Sequence, residues 1–341
     1  MQTRTKILFF IFLTPLCYNA VGHSQQMYAE LGDFQLENGS IIHDCRIGYR
    51  TFGKLNTQKS NAILFPTWFN GKTEHLAKLI GPNKLIDSSK YFIIAVDAFG
   101  NGISSSPSNS KQQPGHNFPK FNIRDMVQAE HRLLTKMLGI SHLKGVIGGS
   151  MGGMQLFEWI VTYPCFMDRA IAYVSSPKLT SYDLLLLQTE LIAIEAGQQC
   201  LCQTEAMMKI VAIINNLAAY TPHYRVKTTS PENVDKFLTS YYENFAAGFN
   251  AENWASQLRA LMAHDISTPF GGAMEKAASV IQAQVLIIIS TQDHIVNPGP
   301  AIKFARLINA EILELNSDCG HLAVSCEMES VIKAVADFLN R

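Results

Sequence analysis

The feature that most constrains this chain is the hexapeptide Gly148-Gly149-Ser150-Met151-Gly152-Gly153, which closes the apolar run Lys144–Gly149 (KGVIGG). A nearly continuous apolar run of this length reads as a strand covered on both faces. Helical spacing follows over Met154–Tyr163, so the serine falls in the turn between a strand and a helix. Such a turn must be tight and strained, and it lifts the serine hydroxyl clear of the sheet. Glycines at 148 and 152 remove the Cβ atoms that would clash there. Gly-rich phosphate loops also join strands to helices, but a dinucleotide site wants G-x-G-x-x-G near the first strand, and it is absent. The setting predicts that Ser150 is a nucleophile.

The same alternation extends along the chain. Asn61–Thr67, Tyr91–Asp97, Arg169–Ser175, Val285–Ser290 and Glu311–Asn316 also read as strands, with helical spacing over Ile123–Leu138 and Pro300–Leu307. Asp33–Leu36 with Ile41–Phe52 reads as an antiparallel hairpin. The pattern predicts an α/β-hydrolase fold, a mostly parallel doubly wound sheet with right-handed crossovers. Between Pro177 and about Gln282 the strands stop, and Leu184–Glu195, Ala206–Ala219, Val234–Phe245 and Trp254–Ala263 are helix candidates. This predicts a hydrolase core in two parts, 23–177 and 283–341, with a helical cap inserted at 178–282.

Lys+Arg and Asp+Glu balance at 28 each, so no basic field exists to hold nucleic acid or an acidic membrane surface. The N-terminus has the pattern of an export signal: Arg4 and Lys6, then the apolar Ile7–Cys17, then Ala20-Val21-Gly22 as a small-residue cleavage site. The mature chain is expected to begin near residue 23, exported to the periplasm or the medium, with no membrane insertion. A buried N-terminal helix or an uncleaved anchor is the other reading of that segment. Of seven cysteines, Cys17 falls in the signal segment. The rest show no metal-ligand spacing, their connectivity is not deducible, and they are expected to be mostly structural or free.

A serine hydroxyl needs a histidine base oriented by a carboxylate, and in this fold the chain order is Ser, acid, His. His321, on the loop between Glu311–Asn316 and the C-terminal helix, is the base candidate; His223 and His264 fall in the cap, and His294 occupies the acid's neighbourhood. Asp293 follows a strand at its carboxyl end, where sheet-borne catalytic groups gather. Asp318, in the loop of His321 itself, is the competing acid, while Asp168, Asp183, Asp235 and Asp265 lie elsewhere. The oxyanion donors are expected to be the backbone N–H of Met151 and that of Trp68 or Phe69. No metal or cofactor is required.

Several further segments carry a family resemblance: Tyr49–Asn56 (YRTFGKLN), Asp97–Ser108 (DAFGNGISSSPS), Asn122–Val127 (NIRDMV) and Gly148–Gln155 (GGSMGGMQ). With Glu158-Trp159, Tyr163-Pro164, Ser176–Glu195, Asp293 and Gly320-His321, they cover most of the mature chain. The chain resembles the homoserine O-acetyltransferase-like branch of the α/β-hydrolases. The resemblance implies triad roles for Ser150, Asp293 and His321, and a cap arginine, Arg225 or Arg259, that binds a substrate carboxylate. It also implies a small-molecule acyl donor and a hydroxyl acceptor, with acetyl-CoA as co-substrate only in a true acetyltransferase, and it is compatible with a homodimer. The family's acetyltransferases usually follow the catalytic histidine with Asp, whereas Leu322 stands here. The expectation is therefore ester hydrolysis or acyl transfer to another alcohol. True homoserine acetylation is the alternative, and a non-catalytic binding protein of the same fold is a remote one.

Overall fold

The computed structural model describes residues 24–199, 204–246 and 249–341. The expected export signal at 1–22 and Cys17, Cys200 and Cys202 lie outside the described residues. Eight strands form one sheet in the order β1-β2-β4-β3-β5-β6-β7-β8. They are β1 Met27–Gln35, β2 Ile41–Phe52, β3 Ala62–Pro66, β4 Phe92–Val96, β5 Leu143–Gly149, β6 Met167–Tyr173, β7 Gln284–Ser290 and β8 Glu311–Leu315. Strand β2 runs antiparallel to β1 and to β4, and the remaining pairs are parallel.

Period-two alternation explains the apolar runs, because both faces of the parallel strands are buried. Leu64, Ile94, Val146, Ala170 and Ile287 face one core cluster, while Ile63, Ile93, Ile147, Ile171 and Ile288 face the other. The described residues form twelve α-helices. The first three, α1 Thr73–Leu76, α2 Ile123–Arg132 and α3 Met151–Thr162, belong to the core. Then α4 Ser181–Gln199, α5 Thr204–Ala219, α6 Pro222–Thr228, α7 Val234–Ala246, α8 Ala251–Met262 and α9 Met274–Ser279 fall between β6 and β7. The chain closes with α10 Pro298–Leu307, α11 Ala323–Cys326 and α12 Met328–Leu339. Residues of α2, α3 and α10 cover the first sheet face, and those of α1 and α12 the second.

One element differs from the sequence expectation: the helix expected over Ile123–Leu138 is α-helical only to Arg132 and continues as a π-turn over Leu133–Met137, where Leu138 N–H bonds Leu133 O. Pro222 opens α6: its missing N–H costs nothing at a first helical position, and Thr221 caps the turn by accepting from Tyr224 N–H.

Helix α3, which begins directly after Ser150, is fixed by buried polar contacts to its neighbours. Glu158 receives a two-pronged Arg124 guanidinium, both N···O distances being 3.0 Å. Trp159 donates its indole N–H to Glu130 at 2.6 Å. His264, fully enclosed, is held neutral because burial pushes it down to about 4, and its Nε2 donates to Ser176 O at 3.0 Å.

Burial without a cation pushes the Glu130 carboxyl from its ordinary 4.5 up to about 8. Below 4.5 the group is protonated folded and unfolded alike; above it only the unfolded chain ionises, so this contribution to stability is lost as pH rises towards 8. Glu130→Gln keeps an acceptor for Trp159 and removes the titration. Urea midpoints at pH 5 and pH 8 are expected to fall with pH more steeply in the wild type than in the variant; equal slopes would contradict the assignment.

Candidate active site

Ser150 stands between β5 and α3 with φ 52° and ψ −126°, outside the regions that non-glycine residues normally occupy. Three contacts hold it there. Its N–H donates to Tyr173 O at 3.0 Å, its carbonyl accepts from Ser175 Oγ at 2.8 Å, and the same carbonyl starts the helix by accepting from Met154 N–H. A Cβ at Gly148 would lie 2.2 Å from Gly152 O, and one at Gly152 would lie 2.5 Å from Pro66 O, so neither position accommodates a side chain.

His321, in the turn after β8, points Nε2 at Ser150 Oγ at 3.0 Å. Its Nδ1 lies 2.7 Å from Asp293 Oδ2. The other oxygen of Asp293 accepts from the N–H groups of Ile295 and Val296, both at 2.9 Å, so the side chain is immobilised in a buried site. The competing Asp318 turns away: its carbonyl accepts from Thr221, and its carboxylate lies 3.6 Å from the exposed His223. The hydrogen-bonded series Ser150–His321–Asp293 can therefore deprotonate the serine and hold the resulting imidazolium.

The loop after β3 faces the serine. Thr67 N–H is occupied by Val96 O, Asn70 N–H by Gln257 Oε1 at 2.7 Å, and Gly71 N–H by Trp68 O. Trp68 and Phe69 have backbone N–H groups with no protein acceptor among the described residues. Met151 opens α3, so its N–H lacks an intrahelical partner. These three N–H groups are the ones the sequence names as candidate oxyanion donors. Gln155, one turn into α3, bonds both Thr67 O at 3.0 Å and Met151 O at 3.2 Å, tying the two donor segments together.

A cavity of about 570 Å³ opens over Ser150 and His321. Core residues Trp68, Tyr173 and Ile295 form one side, and Leu187, Asn215, Tyr241 and Leu261 of the inserted helices form the other. Its described lining holds no carboxylate and no arginine. The exposed Lys78 is the one permanent cation, since burial holds His75 below the ordinary histidine value. Burial also raises the Tyr173 phenol, which stays protonated. Strain recurs beside the cavity at Val174, whose φ of 42° is unusual for a β-branched residue.

Residues 65–191 match the α/β hydrolase fold family. An ethyl acetate hydrolase from Pseudomonas veronii is 31% identical over 321 residues, spanning 90% of this chain and 92% of that protein. The chain belongs to the α/β-hydrolase family. Two solved structures share the fold closely. An acetylester hydrolase from Corynebacterium glutamicum superposes with a TM-score of 0.85 at 27% identity, over 93% of this chain and 96% of that one. A homoserine O-acetyltransferase from Bacillus anthracis gives 0.84 at 25% identity, over 93% and 98%. The match is thus to the branch that holds homoserine acetyltransferases together with esterases.

In this α/β-hydrolase neither candidate arginine reaches the cavity, a correction to the sequence expectation. Arg225 is held by Asn216 Oδ1 at 2.6 Å and Thr229 Oγ1 at 3.0 Å, and it stacks on Phe237. Arg259 pairs with Glu195 at 2.7 Å. Both guanidinium groups are already satisfied by the inserted helices, which is why charge and position in the sequence misled.

The cysteine pairing, not deducible from the sequence, is visible among the described residues. Cys319 and Cys326 form a disulfide of sequence separation 7 that brackets His321, whereas Cys45 and Cys165 are free. The bridge closes the loop and short helix α11 onto themselves, so it limits how far the imidazole can stray from Ser150. Replacing both bridge cysteines by alanine is expected to lower unfolding free energy by about 2 kcal/mol and to reduce kcat several-fold with KM little changed. Dithiothreitol should reproduce the kinetic effect in the wild type; unaltered kcat after verified reduction would show that the bridge does not position His321.

Proposed function

We propose that this chain is a serine esterase that cleaves small, uncharged carboxylic esters through an acyl-Ser150 intermediate. The observation that carries the reading is the chemistry of the cavity wall. No carboxylate of the described lining would receive an amino acid's ammonium group, the one permanent cation there is the exposed Lys78, and Leu322 lines the cavity next to His321. An apolar, half-buried wall instead favours an uncharged ester.

In this mechanism His321 Nε2 takes the Ser150 proton as Oγ attacks the acyl carbon. The oxyanion is received by the N–H groups of Met151 and of Trp68 or Phe69. The imidazolium, steadied by Asp293, returns its proton to the leaving alcohol. Water, activated by the same imidazole, then discharges the acyl-enzyme and regenerates Ser150. An alcohol in place of water would make the chain an acyltransferase by the same steps. We take the helices inserted at 178–282 as a cap that governs which acceptor enters. No cofactor takes part.

The named activity of the Pseudomonas veronii relative supports acetate esters as the first substrates to test. We also propose export, on the strength of the positive charge and apolar run in residues 1–22. Acetyl-CoA would be scarce outside the cytoplasm, which supports hydrolysis over acetyl transfer from the coenzyme. The test is a direct comparison of ethyl acetate and 4-nitrophenyl acetate with acetyl-CoA plus homoserine. Turnover of the esters without O-acetylhomoserine is expected, and rapid O-acetylhomoserine formation would overturn the proposal.

A further inference from the structure

We infer that Gln257, on the inserted helix α8, is a positioning residue for the oxyanion loop and thereby couples the cap to acyl transfer. The inference rests on the acyl-Ser150 reading and assigns Gln257 no contact with substrate.

The geometry starts from a conflict within the loop. Asn70 adopts φ 53°, a left-handed conformation that turns the chain directly after Trp68 and Phe69. That turn leaves the Asn70 N–H inside the protein, where an unpaired donor would be costly. No core element meets it. Gln257 does, accepting from Asn70 N–H at 2.7 Å while donating its own amide to Phe99 O at 2.8 Å. The side chain is buried, and both ends of the carboxamide are used. It therefore spans the loops after β3 and β4 like a strut, and neither end can swing without breaking the other bond.

Helix α8 is well placed to hold this strut. One turn before Gln257, Asn253 bonds Ser108 through both ends, at 3.0 Å to its N–H and 2.8 Å to its hydroxyl. Trp254 meets Phe69 edge to face with ring centroids 4.6 Å apart. The same indole donates to Glu190 of α4 at 2.9 Å, and Glu190 lies 3.4 Å from the amide of Asn215, which lines the cavity. A continuous set of contacts thus runs from the cavity wall formed by the inserted helices to Phe69 and Asn70. Substrate pressing on that wall and the aim of the Trp68 and Phe69 N–H groups are mechanically linked.

The pair of variants Gln257→Met and Asn253→Ala separates positioning from mere stability. Both loosen α8, but only Gln257→Met releases the Asn70 N–H. With 4-nitrophenyl acetate, Gln257→Met is expected to lower kcat by about tenfold or more, given that losing an oxyanion donor outright costs about 100-fold or more. KM should stay within about threefold, as for an interaction felt mainly in the transition state. Asn253→Ala should lower the melting temperature while leaving kcat within about twofold of wild type, a margin well inside the transition-state effect sought. A kcat for Gln257→Met within that margin, a loss carried by KM, or an equal kcat loss in Asn253→Ala would overturn the inference.

Should Gln257→Met fail to fold, Gln257→Glu decides the matter. When protonated, the introduced carboxyl can both accept from Asn70 and donate to Phe99 O; when ionised it repels that carbonyl. Its kcat relative to wild type is therefore expected to rise as pH is lowered from 8 to 6, and a flat ratio would overturn the inference. A wild-type chain that neither turns over esters nor acylates Ser150 would instead sink the underlying esterase reading, so the two failures are distinguishable.

Discussion

The junction at Ser150 is the constraint on which the site depends. A serine at φ 52° and ψ −126° lies in a sparsely populated region that costs on the order of 1–3 kcal/mol. It persists because α3 approaches β5 at Gly148 and β3 at Gly152 so closely that neither glycine has room for a Cβ, and because Tyr173 and Ser175 bond the Ser150 backbone from β6 and the turn after it. The sheet and the packed helix over-determine the turn. In return, the hydroxyl faces His321 at the start of α3, whose first N–H groups have no intrahelical partner. The large apolar core is thus the source of the strain that exposes one serine.

Everything else in the site is arranged relative to that fixed point by short polar contacts. Asp293 is fixed by two backbone N–H groups before it touches His321, and the disulfide limits the loop on the other side of the imidazole. Gln155 ties α3 to the loop after β3 from inside the core. Gln257 ties the same loop to an inserted helix from outside it. These polar clamps contrast with a mostly apolar cavity wall, whose described lining holds no carboxylate and, as its one permanent cation, the exposed Lys78.

Much of this was legible in the sequence because burial leaves a periodic record. The inner parallel strands appear as largely apolar runs, the edge strand β8 (EILEL) being more exposed, and Ser150, Asp293 and His321 stand in loops after strands, where the sequence reading put them. Strand β1 was under-read, at Asp33–Leu36 rather than Met27–Gln35, because its alternating exposure mixes polar residues with core ones and two register shifts interrupt its pairing. Contacts between distant segments leave no such record. Nothing local marks Gln257 as the partner of Asn70, nor Cys319 as that of Cys326. Arg225 and Arg259 look like substrate ligands until their side-chain partners are seen. Substrate preference was likewise hidden, since it depends on which residues fail to reach the cavity.

The most direct test of the central claim is covalent. An activated serine attacks the phosphorus of a fluorophosphonate probe and displaces fluoride, and peptide mass spectrometry locates the adduct. The account predicts one adduct per chain, on Ser150, with labelling abolished in Ser150→Ala and strongly slowed in His321→Ala. Undiminished labelling of Ser150→Ala, or an adduct on another residue of the wild type, would contradict it.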